Sequence, residues 1–139
     1  MELKDCINFL LSASQNKVFK IFSKLLEEYE VTPAQYGVLN CLWREGQLSP
    51  KQIGEKLYLE APTISGILDK MQKSGLIERS IDPDNRRNVL VVSTQKAEEL
   101  RSGIEAATVE LNEKVFENLS HRDVEILKNS LEIIIQTDY

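Results

Sequence analysis

Hydrophobic residues recur along most of this chain at intervals of three and four positions, the spacing that gathers them on one face of an α-helix. The first stretch of this kind predicts a single amphipathic helix over about residues 3–28. Later helices are marked by a proline in the first turn or by a serine or threonine that can cap the helix. These start signals lie at Thr32, Ser49, Pro62, Thr94 and Ser120.

Between the fourth and fifth predicted helices the pattern becomes extended. Residues 76–80 and 88–92 are two runs with the patterning of β-strands. The connector between them contains Asp82, Pro83, Asp84 and Asn85, residues that are typical of turns. The sequence therefore predicts a β-hairpin with a polar tip.

The third and fourth predicted helices form a short helix, a tight turn and a helix with a polar outer face. This is the plan of a helix-turn-helix, whose second helix enters the major groove of DNA, and the hairpin is then the wing. We expect a mainly α fold with a small β-hairpin, in which residues 31–94 form a winged helix-turn-helix lobe within a single domain, residues 1–139. The helices of residues 1–30 and 95–139 are apolar on one face with nothing left to cover them, which predicts a homodimer.

Charge is distributed unevenly along the chain. The formal net charge is −5, the wrong sign for a phosphate-binding surface. Residues 50–96, however, hold eight basic and six acidic side chains, a local charge of +2, so the rest of the chain carries −7. The central lobe is electropositive relative to its flanks, which favours a nucleic-acid partner over an ordinary scatter of surface charge.

Several classes of protein are excluded by what the sequence lacks. No stretch approaches the roughly 20 apolar residues of a membrane-spanning helix, and the start of the chain, with Glu2 and Asp5, does not resemble a secretion signal. Two cysteines and one histidine predict no disulfide framework, metal site or cofactor, and Cys41 is expected in the core. No paired nucleophile and base is present. We therefore expect a cytoplasmic protein that is not an enzyme.

The candidate DNA-binding residues are polar or basic positions of the helix-turn-helix and the wing. On the fourth helix they occupy the side opposite the apolar face, and the alternative is a solvated helix face. Arg86 and Arg87 suit the narrow minor groove, and the alternative is a pair of exposed charges bridged to Asp82 or Asp84. The candidates are Ser49, Lys51, Gln52, Ala61, Pro62, Thr63, Ser65, Gly66, Asp69, Lys70, Lys73, Arg86, Arg87 and Asn88.

Four segments are specific enough to indicate a family: LSPKQIGEKL (48–57), TISGILDKM (63–71), GLIER (75–79) and DPDNRRNV (82–89). Together they resemble the MarR (multiple antibiotic resistance regulator) family, although Asn85 stands where that family usually has an acidic residue. The resemblance implies an obligate homodimer that binds a pseudo-palindromic, double-stranded operator. It also implies a repressor that a small aromatic or phenolic effector releases. Tyr36 and Trp43 are then candidate ligand contacts, with plain core residues as the alternative.

Two other functions remain open. A branch of the family senses organic hydroperoxides through a cysteine of the first helix, and Cys6 is the candidate redox residue here. Residues 8–14 resemble that branch, but their alignment places its reactive position at Asn8, and Ser12 and Phe22 stand where its partner tyrosines are expected. The other alternative is a winged-helix protein-interaction module without DNA binding, which the modest local charge allows.

Overall fold

The computed structural model describes residues 1–139, which form six α-helices and three short β-strands. The helices are α1 (Ile7–Leu26), α2 (Pro33–Glu45), α3 (Pro50–Leu57), α4 (Ala61–Lys73), α5 (Gln95–Phe116) and α6 (His121–Gln136). The strands are β1 (Gln47–Leu48), β2 (Ile77–Ile81) and β3 (Val89–Ser93). The order of these elements confirms the predicted mainly α, winged helix-turn-helix fold.

The first helix is shorter than predicted. Leu3–Asp5 form a separate 3-10 turn, and the extended backbone of Cys6 (φ −91°, ψ 115°) interrupts the chain before α1 begins. Glu27–Tyr29 form a second 3-10 turn, which Glu30 ends in the left-handed conformation. The prediction of one continuous helix over residues 3–28 was wrong at both ends, because no buried side chain holds either turn in α-helical geometry.

Hydroxyl caps fix where four of the six helices start, at the positions predicted, whereas α1 and α4 have no side-chain cap. Thr32 and Ser49 each form a complete capping box, in which the hydroxyl oxygen accepts the backbone N–H of Gln35 at 3.1 Å or of Gln52 at 3.2 Å. The glutamine side chain accepts the backbone N–H of the capping residue in return. The other hydroxyl caps are Thr94 for α5 and Ser120 for α6. These bonds satisfy N–H groups that a helix start leaves unpaired, so they set the bounds of the helix-turn-helix.

The sheet contains three strands in the order β1-β3-β2, one more than the predicted hairpin. β1 pairs antiparallel with β3, with Gln47 opposite Val92, and its two residues are too few to show an alternating pattern. β2 and β3 begin one residue later than predicted. The reason is that Leu76 still belongs to the end of α4: its N–H donates to the carbonyl of Met71 across Gly75, which has φ 79°.

Most buried side chains lie within residues 31–94, where α2, α3, α4 and the sheet surround one core. These residues are Val31, Val38, Leu39, Cys41, Leu42, Leu48, Ile53, Ile64, Leu68, Met71, Leu76, Ile77 and Val91. α1 packs on α5, and buried side chains of both helices, among them Phe22, Leu26 and Ile104, continue this core, whereas α6 contributes no buried residue and packs closely against no other element. No helix combines the length and apolar character needed to cross a lipid bilayer.

Candidate nucleic-acid interface

The two faces of α4 differ in burial. Ile64, Leu68 and Met71 recur at three- and four-residue intervals and are at most 1% exposed, so they fix the helix against the lobe. The opposite face is open to solvent. It carries every α4 position predicted to face DNA: Ala61, Pro62, Thr63, Ser65, Gly66, Asp69, Lys70 and Lys73.

Gly66 lies near the middle of this exposed face, and nothing in the protein requires a glycine there. A Cβ atom built on Gly66 meets no heavy atom within 4 Å. Gly54 differs, because a Cβ atom there would lie 3.0 Å from the carbonyl oxygen of Leu59 in the turn between α3 and α4. A glycine inside a helix costs about 0.5–1 kcal/mol relative to alanine. The fold itself offers no compensation for that cost at Gly66.

The start of α3 and the wing face each other across a cleft of about 540 Å³. Ser49, Lys51 and Gln52 line this cleft from α3, while Arg87 and Asn88 line it from the wing. The other lining residues are Pro50, Glu55 and Val89. The N-terminal end of α3 adds the partial positive charge of the helix dipole on the same side. Two groups of candidate residues that lie more than 30 positions apart in the sequence are thus brought together.

The wing tip is a loop that uses its acidic and amide side chains internally. The carboxylate of Asp82 accepts the N–H of Asp84 at 2.9 Å, and the amide oxygen of Asn85 accepts the N–H of Arg87 at 3.2 Å. The guanidinium groups of Arg86 and Arg87 form no ion pair with any residue of the chain. The alternative of bridges to Asp82 or Asp84 is therefore not observed, and both cations are available to an external anion.

Arg79 connects the wing to α4, a role that the sequence did not indicate. Its Nη2 donates to Asp69 Oδ1 at 2.8 Å, and its Nε donates to Gln72 Oε1 at 2.6 Å. The Asp69 carboxylate, a candidate for contact with DNA, is therefore engaged with β2. Strand periodicity could have revealed this link, because Arg79 lies two residues after the buried Ile77 and so shares its face, toward α4.

The two aromatic candidates for ligand contact pack against other side chains. The ring of Tyr36 meets that of Phe22 edge to face at a centroid distance of 5.4 Å, and its hydroxyl accepts the amide N–H of Asn40 at 3.2 Å. The Arg101 guanidinium lies 5.4 Å from the centre of the Trp43 ring, and the Trp43 indole N–H is buried without an acceptor. Neither aromatic residue lines the larger surface clefts.

The two cysteines lie in different environments. Cys6 is partly exposed and stands just before α1, where its side chain makes no capping bond. Cys41 is 8% exposed inside the lobe, and burial raises the pKa of its thiol. Cys41 is thus a core residue, as the sequence predicted, and Cys6 is the more accessible thiol.

Comparison with known proteins shows similarity over the whole chain. The model of the MarR family matches residues 31–89. The organic hydroperoxide resistance transcriptional regulator of Bacillus subtilis (strain 168) is 31% identical over 137 residues, which cover 99% of this chain and 92% of that protein. A probable transcriptional regulator from Pseudomonas aeruginosa has a crystal structure with a TM-score of 0.89 at 30% identity, covering 96% of this chain and 99% of that one. CouR from Rhodococcus jostii RHA1, crystallised with p-coumaroyl-CoA, gives a TM-score of 0.85 at 25% identity, covering 100% and 98%.

Proposed function

Because this chain belongs to the MarR family of transcriptional regulators, we propose that it is a homodimeric repressor that binds a pseudo-palindromic DNA operator. Residues 31–94 form the DNA-binding lobe, and residues 1–30 and 95–139 form the dimer interface. α4 enters the major groove, the start of α3 holds the phosphate backbone, and the wing reaches the adjacent minor groove. In this role the protein catalyses no reaction and acts in the cytoplasm.

The strongest support for DNA binding by α4 comes from Gly66. A helix whose only task is to face solvent gains nothing from glycine at this position, since alanine fits without a contact and favours the helix. A helix that lies deep in a groove gains from the missing side chain, because its backbone can approach the bases more closely. Gly66 is therefore explained by a partner outside the protein.

Gly66→Ala separates the two explanations, because stability and DNA binding should change in opposite directions. We expect the free energy of unfolding to rise by about 0.5–1 kcal/mol and operator affinity to fall by roughly tenfold, the scale of one lost base contact. The measurements are urea unfolding and binding to the DNA upstream of the protein's own gene, against a scrambled duplex. Ser102→Ala, at an exposed position of α5, is the matched control that stabilises a helix away from DNA. Unchanged affinity in Gly66→Ala would remove α4 from the interface.

Free cations among the candidate DNA-binding residues further support a phosphate partner. The candidate cations without an ion-pair partner in the chain are Lys51, Lys70, Lys73, Arg86 and Arg87. Cations that neutralise DNA phosphates release the counterions bound there, so we expect the affinity for DNA to fall steeply as the salt concentration rises. A winged helix that binds only protein would lack that dependence, so a salt titration distinguishes the two functions.

An effector site near Trp43 is supported by the buried indole N–H that has no acceptor. Trp43 belongs to α2 of the lobe and Arg101 to α5, and the guanidinium lies over the ring, so a ligand beside this pair would contact both regions. A phenol or carboxylate could accept from the indole and pair with the guanidinium, and CouR shows that a relative of this fold holds an aromatic acyl ligand. Titration with phenolic carboxylates should quench Trp43 fluorescence and lower operator affinity, which requires that the ligand prefer the non-binding geometry.

Oxidant sensing through Cys6 is a second candidate. It is favoured by the similarity to the hydroperoxide resistance regulator of Bacillus subtilis and by the partial exposure of Cys6. If the hypothesis is correct, an organic hydroperoxide releases the wild type and a Cys41→Ser control from DNA, while Cys6→Ser stays bound. Equal release of all three proteins would exclude oxidant sensing through Cys6, and release by an effector bound near Trp43 would remain as the hypothesis.

A further inference from the structure

Tyr58 occupies a position that local structure does not favour for tyrosine. It ends α3 with a left-handed backbone, φ 56° and ψ 42°, a conformation that glycine adopts readily and a bulky side chain does not. The Tyr58 side chain is also 63% exposed. Burial therefore does not offset the unfavourable backbone, and the explanation has to lie in what the side chain contacts.

The hydroxyl of Tyr58 meets the far end of the chain. Gln136, the last residue of α6, donates from Nε2 to the Tyr58 hydroxyl oxygen at 3.2 Å. The direction of Gln136 is fixed by the end of the helix, where the N–H and the hydroxyl of Thr137 both donate to the carbonyl of Ile133 at 3.0 and 2.6 Å. Since α6 packs closely against no other element, this hydrogen bond is a specific link between α6 and the helix-turn-helix.

The opposite end of α4 is attached to α5. The Thr94 hydroxyl donates to the carbonyl of Gly75 at 2.6 Å, and the Lys96 ammonium donates to the carbonyl of Ser74 at 2.7 Å. The terminal helices therefore hold α4 near both of its ends: α6 just before Ala61, and α5 just after Lys73. A helix attached near one end can swing about that point, whereas attachment near both ends fixes its direction.

We infer that the hydrogen bond between Gln136 and Tyr58 acts as a strut that sets the direction of α4 relative to the terminal helices, and thereby the operator half-site spacing that the dimer accepts. This role rests on the proposed function, because half-site spacing exists only for a dimer on DNA. Tyr58 and Gln136 are positioning residues and need not touch the duplex. Each added base pair moves a half-site by about 3.4 Å and about 35° around the helix axis, so loss of angular restraint changes which spacings bind.

The test uses the full-length protein with Tyr58→Phe, Gln136→Ala and the double variant. Tyr58→Phe keeps the ring and removes only the acceptor, and Tyr139→Phe is the matched control because Tyr139 is 93% exposed. The rate of backbone amide hydrogen exchange over residues 57–62 shows, without DNA, whether the hydrogen bond restrains the turn between α3 and α4. Binding to operators whose half-sites are moved by about −1, +1 and +2 base pairs from the preferred spacing of about one helical turn reports its consequence.

We expect either single change to speed exchange in the turn roughly threefold to tenfold, as loss of one net hydrogen bond implies. Affinity for the preferred spacing should fall by a similar factor while other spacings change less, and the double variant should be no worse than either single one. Unchanged exchange in Gln136→Ala would overturn the strut. So would a Tyr58→Phe defect that is equal at every spacing while Gln136→Ala binds normally, since Tyr58 would then contact DNA directly. If the wild type binds no duplex in preference to the scrambled one, the proposed function is wrong. The hydrogen-exchange rates of the variants still show whether the strut exists.

Discussion

The winged-helix lobe and the terminal helices differ in how many of their large apolar side chains are buried. The lobe buries most of its large apolar residues, among them Leu39, Ile53 and Val91, which are fully buried. The terminal helices leave large apolar side chains exposed: Ile7, Leu10, Leu11 and Phe19 in α1, and Ile126, Leu127, Ile133, Ile134 and Ile135 in α6. A region that covers its core can turn as a unit, whereas exposed apolar helices need a partner. One chain thus contains a complete module and half of an interface.

Leu127→Glu should have the largest effect on assembly and DNA binding, because it places a charge on the exposed apolar face of α6. A carboxylate on the apolar face of α6 would have to be buried in the dimer, which is strongly unfavourable, while glutamate itself favours a helix. We expect monomers in sedimentation analysis and a loss of operator affinity of at least about 100-fold, since the second half-site no longer assists the first. Asn129→Glu adds the same charge to an exposed polar position of α6 and should leave the dimer intact. A Leu127→Glu protein that remains dimeric would place the interface elsewhere.

Gly103→Ala tests the contact between the two terminal segments beside the lobe. A Cβ atom at Gly103 would lie 2.6 Å from the ring of Tyr29, just before the lobe begins. Displacing that ring should lower the free energy of unfolding by about 1–3 kcal/mol, the usual range for overpacking. Urea unfolding measures the loss, and adding Tyr29→Ala should recover part of it. Gly66→Ala, with open space around it, is the control and should change stability in the opposite direction.

Arg87→Ala should impair the lobe without affecting assembly. The guanidinium has no partner in the chain, so its removal leaves no buried group unpaired and should not change the melting temperature. Operator affinity should fall by roughly tenfold, with a salt dependence smaller by about one counterion. Arg122→Ala on α6, also without an ion pair, should bind as the wild type does. Equal affinity in both variants would exclude the wing from DNA contact.

The smallest expected effect concerns the alkylation rate of Cys41, which depends on how often the core of the lobe opens. Burial raises the pKa of Cys41, so less of the reactive thiolate is present at any given pH than for an ordinary cysteine. In a Cys6→Ser protein, alkylation should therefore be much slower in the native state than in denaturant, and should stay slow as pH rises through the usual thiol range. Fast native labelling would show that the lobe opens readily.

Sequence patterns were sufficient where structure depends on near neighbours. The capping boxes at Thr32 and Ser49 and the turn at Asp82 use residues within three or four positions, so their chemistry is visible in order along the chain. β1 was missed because it exists only through pairing with β3, on the far side of the helix-turn-helix. Two residues carry no period, so no local pattern could have predicted that strand.

The same distinction applies to the candidate site. Residue type and helix face were enough to select the exposed side of α4, including Gly66. They could not show that Arg87 of the wing faces Ser49 across one cleft, because that depends on how separate elements pack, and the face of Arg79 on β2, which periodicity does indicate, does not identify Asp69 as its partner. The sequence predicts Asp69 as a contact with DNA, whereas in three dimensions its carboxylate accepts from Arg79.

The attachment of α5 to the end of α4, through Thr94 and Lys96, makes α5 a lever arm. Its 22 residues give a rod about 33 Å long. Tilting a rod of that length by about 6° displaces one end by about 3.4 Å, the rise of a single base pair. If the proposed function holds, the protein can leave its operator without melting a helix or separating its subunits. Under the proposed function, a ligand that binds far from the DNA would therefore need to tilt α5 by only a few degrees to move α4 out of register with its half-site.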